Sequence, residues 1–126
     1  ESKEALDQLA QMLRDNPNIT LEMSSHTDRW GSDEYNIDLS NRRAKSVVDY
    51  LIAAGIAPDR LTWAGYGKTR PKNVTKRINS QFPQFEEGTV LTEEYILTLS
   101  EEDQSVADQI NRRTEFKVTA TDYDPF

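Results

Sequence analysis

Leu6, Leu9, Ala10 and Leu13 recur at helical spacing and predict an amphipathic helix over residues 3–14. Asn16-Pro17-Asn18 ends it. Ile19, Leu21 and Met23 then alternate with Thr20, Glu22 and Ser24, the period of a half-buried strand, which runs into His26-Thr27-Asp28. After a Gly-containing loop, Ser32 is placed to cap a second helix, with Asp33 and Glu34 in its electropositive first turn. Ala44, Val47, Val48 and Leu51 form that helix's core stripe, and Gly55 suits the position just past its end. Ile56 to Arg60 reads as a turn, and Leu61 to Gly67 as a short strand ending in Gly65-Tyr66-Gly67, where the backbone bends or is closely approached. Residues 72–110 are the least regular. Gln81-Phe82-Pro83-Gln84-Phe85 excludes a long helix there, Thr92-Glu93-Glu94 can open a short one, and Ser100 to Asp103 resembles a capping box that starts another, with Val106, Ala107 and Ile110 inward. Residues 114–120 alternate Thr114, Phe116, Val118 and Ala120 against Glu115, Lys117 and Thr119, which predicts a last strand.

This order of helix, strand, helix, strand, irregular segment with helix, and strand predicts an α/β (α+β) sandwich, one mixed sheet packed on helices. The length of 126 residues suits one domain with one core. There is no internal repeat and no low-complexity segment.

Charge narrows the function. Asp and Glu number 22 against 15 Lys and Arg, a net charge of -7, which argues against a non-specific nucleic-acid binder and against docking on anionic lipid. No Cys is present, so disulfides and thiolate metal sites are excluded. No long apolar run is present, so no membrane insertion by this segment is expected. Both ends read as cuts in a longer chain, so a targeting signal is expected to lie outside it.

The stretch Ser25 to Ala44 carries the candidate chemistry. Asp28 falls in the loop, and Asn36, Leu39 and Arg43 fall at i, i+3 and i+7 on one helix face. One carboxylate and one guanidinium facing the same loop can grip a ligand that carries both an ammonium and a carboxylate. The bland alternative is a structural ion pair between Asp28 and Arg43, which if exposed contributes about 0–1 kcal/mol. His26 is the only histidine, and no second ligand is spaced with it, so a hydrogen-bonding role at a strand end is expected rather than a metal site. A glycosidase needs two carboxylates in opposed environments across a cleft. Asp33 and Glu34 are accounted for by the helix dipole, so no catalytic residue is assigned. Trp63 and Tyr66 read as core or rim aromatics.

His26-Thr27-Asp28, Gly31-Ser32, Tyr35-Asn36, Leu39-Ser40, Arg42-Arg43-Ala44, Val47, Tyr50-Leu51, Gly55-Ile56, Arg60-Leu61, Gly65-Tyr66-Gly67, Pro71 and Asn111-Arg112-Arg113 stand in order and at matching spacing. In these residues the chain resembles the OmpA C-terminal peptidoglycan-binding family, which includes Pal and MotB. The resemblance covers most of residues 19–71 and 111–118. It implies a β-α-β-α-β-(α)-β fold whose first strand is missing from this chain. It implies non-catalytic, cofactor-free and metal-free binding of the cell-wall stem peptide at meso-diaminopimelate. By the same resemblance Asp28 and Arg43 are the loop aspartate and helix arginine of the pocket, and Asn36 and Leu39 line it. Thr27, Arg29 and Gly31 match loop positions that reach the ligand. Arg112 matches the first arginine of the motif bordering the site, and is equally readable as a strand-start arginine holding the fold.

The connection from Pro71 to Asn111 is longer than usual for the family and resembles the insertion of Bacteroidetes members, some of which anchor larger envelope machines such as type IX secretion components. The expected organisation is a binding domain over residues 1–121, with residues 72–110 as the insertion, and a tail over 122–126. The expected place is the periplasm, attached to the outer membrane through a parent protein. The alternative function is a protein-interaction domain that uses the insertion to hold an envelope partner.

Overall fold

The computed structural model describes residues 2–126. Its elements run α1 (Lys3–Asp15), β1 (Thr20–His26), α2 (Asp33–Ala53), a single 3-10 turn (Pro58–Arg60), β2 (Leu61–Gly67), α3 (Lys76–Gln81), α4 (Glu93–Ile96), α5 (Glu101–Asn111) and β3 (Arg113–Ala120). The three strands form one mixed sheet in the order β2-β1-β3. β1 is parallel to β2 and antiparallel to β3. Parallel neighbours need a crossover, and α2 supplies it. The result is the mixed α+β architecture expected from the alternation. No helix among the described residues is long and apolar enough to cross a membrane.

The helix caps form as their sequences predict. Ser32 Oγ accepts from the Tyr35 N–H at 3.1 Å, Thr92 Oγ1 from the Tyr95 N–H at 3.1 Å, and Ser100 Oγ from the Asp103 N–H at 3.2 Å. Each satisfies an amide that the first helical turn leaves without a partner. Gly55 takes φ +102°, the left-handed conformation that ends α2.

The main core lies between the sheet and α1 and α2. Ala10, Leu13, Leu21, Met23, Val47, Val48, Leu51, Ile56 and Leu61 are its buried residues. Arg60 is buried beside it, and its guanidinium donates to the carbonyls of Leu13, Asn16 and Ile19 at 2.7–2.9 Å. Those carbonyls lie at the end of α1 and the turn after it, so one side chain closes the α1–β1 connection. Tyr123 bonds to Asn18 through both its amide and its carbonyl, so the segment expected as a tail is tied to the turn at that residue.

Residues 72–110 depart most from the single-core expectation. Val74, Phe85, Leu91, Ile96 and Ala107 form a second buried cluster, with Ile78, Phe82 and Ile110 packed on it. α3 was not legible because it is only 6 residues long, carries no fully buried residue and is started by Thr75. A second departure concerns β3. Phe116 and Val118 pair with Met23 and Leu21, so they point to the helix side of the sheet. Both are nevertheless exposed. α2 packs over β1 and β2, leaving that side of β3 uncovered, and the outer edge of β3 pairs with no strand among the described residues.

Candidate functional site

The loop between β1 and α2 carries Thr27 to Gly31. Thr27 is buried, and its N–H donates to the Gly67 carbonyl at 2.9 Å, so the loop leaves the sheet beside the end of β2. Asp28 follows. Its Oδ1 accepts from the Trp30 N–H at 3.0 Å, a local turn that aspartate side chains favour. Its Oδ2 accepts from Arg112 Nη1 at 2.6 Å. Asp28 thus pairs with Arg112 and not with Arg43, so the structural ion pair considered from the sequence does not form. A carboxylate accepts about four hydrogen bonds, so two acceptor directions of Asp28 remain.

Arg43 is exposed and makes no ion pair or hydrogen bond to the described residues. It lines a cleft of about 730 Å³ together with Ser25, His26, Tyr50, Arg112 and Thr114. Arg112 is therefore the shared side chain, opening on the cleft with Arg43 while holding Asp28. Two guanidiniums thus share the cleft, and one of them, Arg112, is bonded to Asp28, which does not itself line the cleft. Chemically the arrangement suits a ligand with a carboxylate at one end and an ammonium a few atoms away.

The other residues singled out in the sequence fall around these side chains in different ways. Asn36 is buried and donates from Nδ2 to the Trp30 carbonyl at 2.8 Å, which orders the loop from the first turn of α2. Leu39 is half-buried and is not among the residues lining the cleft. The face shared by Asn36, Leu39 and Arg43 thus turns from interior to solvent along α2. Gly31 takes φ +89°, a conformation that side chains resist. Lys68 donates to its carbonyl at 2.8 Å. The Arg29 guanidinium points away from the cleft, donating to Asp108 Oδ1 at 3.1 Å and Gln104 Oε1 at 3.0 Å.

Asp108 was not found from the sequence. It also accepts at Oδ2 from the Trp30 indole Nε1 at 3.2 Å. One carboxylate on α5 therefore holds two consecutive loop residues. The Arg29 and Asp108 side chains are 10% and 6% exposed, so this pair is nearly dry. In the sequence Asp108 is one of several acids on a helix, and nothing in its spacing marks it. Trp30, a large aromatic in a polar loop, was the available signal.

His26 lines the cleft from the end of β1. Its Nε2 lies 3.1 Å from Ser24 Oγ, and its ring stacks on Tyr66 with centroids 5.5 Å apart. Its Nδ1 is buried without a hydrogen-bond partner among the described residues. Burial, aided by the nearby Arg113, pushes the imidazole from 6.5 down to about 4, against the opposing pull of Glu115. His26 is thus neutral near pH 7. Burial alone would push the Glu115 carboxyl up, but Lys72 and Arg113 outweigh it and hold the carboxyl below its ordinary range.

The fold and this loop–helix site define a mixed α+β binding domain with a charged cleft at the strand–helix junction. The sequence profile of the OmpA family matches residues 1–83, and the chain belongs to that family. Among relatives, it is 47% identical over 73 residues to outer membrane protein A of Escherichia fergusonii, a match covering 56% of this chain and 30% of that protein. It is 44% identical over 63 residues to outer membrane porin F of Pseudomonas fluorescens, covering 50% of this chain and 19% of that protein. The chain thus spans less than a third of the relatives it matches. In structure it is similar to the cell wall anchor of the T6SS from Pseudomonas aeruginosa, with a TM-score of 0.61 and 24% identity over 94% of this chain and 66% of that one. It is also similar to the peptidoglycan-associated lipoprotein of Burkholderia pseudomallei, with a TM-score of 0.57 and 21% identity over 90% and 71%. At these identities the likeness concerns the fold. Membership of the family places the chain among non-catalytic binding domains of the cell envelope.

Proposed function

We propose that this domain binds the peptidoglycan stem peptide at meso-diaminopimelate in the periplasm and thereby holds an envelope protein to the cell wall. The observation that carries this reading is Arg43, exposed and without an ionic partner among the described residues, on the same cleft as the Arg112 that holds Asp28. The diaminopimelate carboxylate lies between Arg43 and Arg112, and its ammonium joins Asp28 at the acceptor directions left open. Asn36, Thr27 and Gly31 keep the loop in place, and Leu39 supplies apolar contact at the margin. Arg29 acts by fixing the loop to α5. Affinity per site is modest, and retention comes from a polymer that offers many equivalent sites.

In the insertion, residues 72–110, apolar side chains are committed to a core of their own and Asp108 is committed to the loop. This favours a supporting role over the holding of a separate partner. The test is calorimetric titration with a soluble stem peptide carrying diaminopimelate, beside the same peptide carrying lysine. Lysine retains the ammonium and lacks the carboxylate proposed for Arg43. The expected result is binding of the first peptide only. Arg43→Ala is expected to weaken that binding by about 2 kcal/mol, roughly 30-fold, without loss of thermal stability. Equal binding of both peptides, or full retention by Arg43→Ala, would sink the assignment.

A further inference from the structure

Beside Asp28 the loop presents an aromatic surface that the charged cleft does not use. Trp30 is 63% exposed and Tyr35 is 57% exposed. A side chain of this size left in water is ordinarily mobile, but Trp30 is held at several points. Its amide donates to Asp28, its carbonyl accepts from Asn36, and its indole N–H donates to Asp108. The Arg29 guanidinium lies 4.4 Å from its ring centroid, a cation–π contact covering one face. The other side of the indole is what remains exposed. Tyr35 continues this surface across Gly31, where its ring carbon Cδ2 lies 3.6 Å from the position a Cβ would take. The surround is polar, since Gly31, Ser32, Asp33 and Glu34 are all exposed.

We infer that Trp30, with Tyr35 beside it, is a stacking platform for a sugar ring of the glycan strand. The inference rests on the proposed stem-peptide reading and extends it from the peptide to the saccharide that bears it. A pyranose offers an apolar face of C–H groups bounded by hydroxyl and amide groups. That shape matches a rigid indole ringed by hydroxyls and carboxylates. An apolar protein partner instead needs an aliphatic surround that excludes water from the anchor, and the neighbours of Trp30 supply none. Because the indole is ordered before binding, stacking costs little further entropy. The Trp30 amide bonded to Asp28 puts the platform next to the proposed peptide site.

The experiment uses three probes with the 126-residue chain: the stem peptide alone, the same peptide joined to its disaccharide, and chitotetraose, a soluble tetramer of β-linked N-acetylglucosamine. Trp63 is changed to Phe so that Trp30 is the single indole, and its fluorescence is followed during titration. Chitotetraose is expected to shift the emission. The disaccharide-bearing peptide is expected to bind about tenfold tighter than the bare peptide. Trp30→Ala, measured by calorimetry with both peptides, is expected to erase that tenfold difference whatever the loss of its indole bond to Asp108 does to bare-peptide affinity, with Tyr35→Ala giving a smaller loss of the difference. If the bare peptide binds but the disaccharide adds nothing and chitotetraose leaves the indole unchanged, the platform is overturned while the peptide site stands. If chitotetraose shifts the indole and no peptide binds, the platform stands and the peptide reading fails. Silence from all three probes overturns both.

Discussion

Asp28 and His26 lie two residues apart and meet opposite electrostatic conditions. Asp28 is held by a guanidinium and an amide. His26 is buried, with one ring nitrogen unpartnered among the described residues and three cations, Arg113, Arg70 and Lys72, opposing its protonation against Glu115. Between pH 6.5 and about 4, the unfolded chain takes up a proton on His26 that the folded chain refuses. The contribution of His26 to stability therefore falls as pH drops through that window and levels off below it. A shift of this size corresponds to about 3 kcal/mol. His26→Gln is expected to remove that part of the pH dependence, seen as a smaller drop in the urea midpoint between about pH 7 and pH 4 than in the unaltered chain. The titration of Glu115 is common to both proteins, so an identical drop would show that His26 contributes nothing. At this scale the sequence yields residue types but not pairings. Asp28, Arg43 and Arg112 were all legible as charged candidates. That Arg112 and not Arg43 takes Asp28 depends on where β3 begins relative to the loop, 84 residues away in sequence.

The contact between α2 and β2 sets the angle at which the loop opens. Gly65 lies against α2 so closely that a Cβ there would sit 2.2 Å from the Asn41 backbone nitrogen and 2.6 Å from the Ser40 carbonyl carbon. Two side chains of α2 close the seam. Asn41 Oδ1 accepts from the Gly65 N–H at 2.8 Å, and Ser40 Oγ accepts from the Gly67 N–H at 2.9 Å. Gly65→Ala must push the helix off the strand, and a loss of about 3 kcal/mol is expected by chemical denaturation. A loss under about 0.5 kcal/mol would mean that the seam relaxes freely. The sequence pattern located this approach, since Gly65-Tyr66-Gly67 marked a bend or close contact, and the long periodic stripe of α2 placed its helix. It was weaker on elements whose apolar residues face a neighbour only formed by tertiary packing. α3 is of this kind, with Ile78 packed on a core whose buried residues are Val74, Phe85, Leu91, Ile96 and Ala107. β3 forms where its regular alternation predicts a strand, while the surface its apolar side chains would meet is absent among the described residues.

Across the whole molecule, two cores are joined at the loop. The larger lies between the sheet and the first two helices, the smaller inside residues 72–110. Asn111, the last residue of α5, ties itself to the smaller by accepting from the Lys72 N–H at 2.8 Å and donating to the Leu91 carbonyl at 3.0 Å. Asp108 fastens the smaller core to the loop. Replacing Asp108 with Ala leaves the Arg29 charge buried without its carboxylate, and a loss of about 3 kcal/mol is expected in thermal or urea unfolding. Amide exchange is expected to rise first in residues 28–31, and uniform acceleration over α1 would contradict a local joint. Neither the joint nor the second core follows from hydrophobic periodicity, which reports each element's own face and not its partner. The open edge of β3 acts on a larger scale still. Its unpaired backbone groups and the uncovered Phe116 and Val118 make it a template for another extended chain. Two copies joined edge to edge would engage a polymer as one bivalent particle, with an apparent affinity that belongs to neither copy alone.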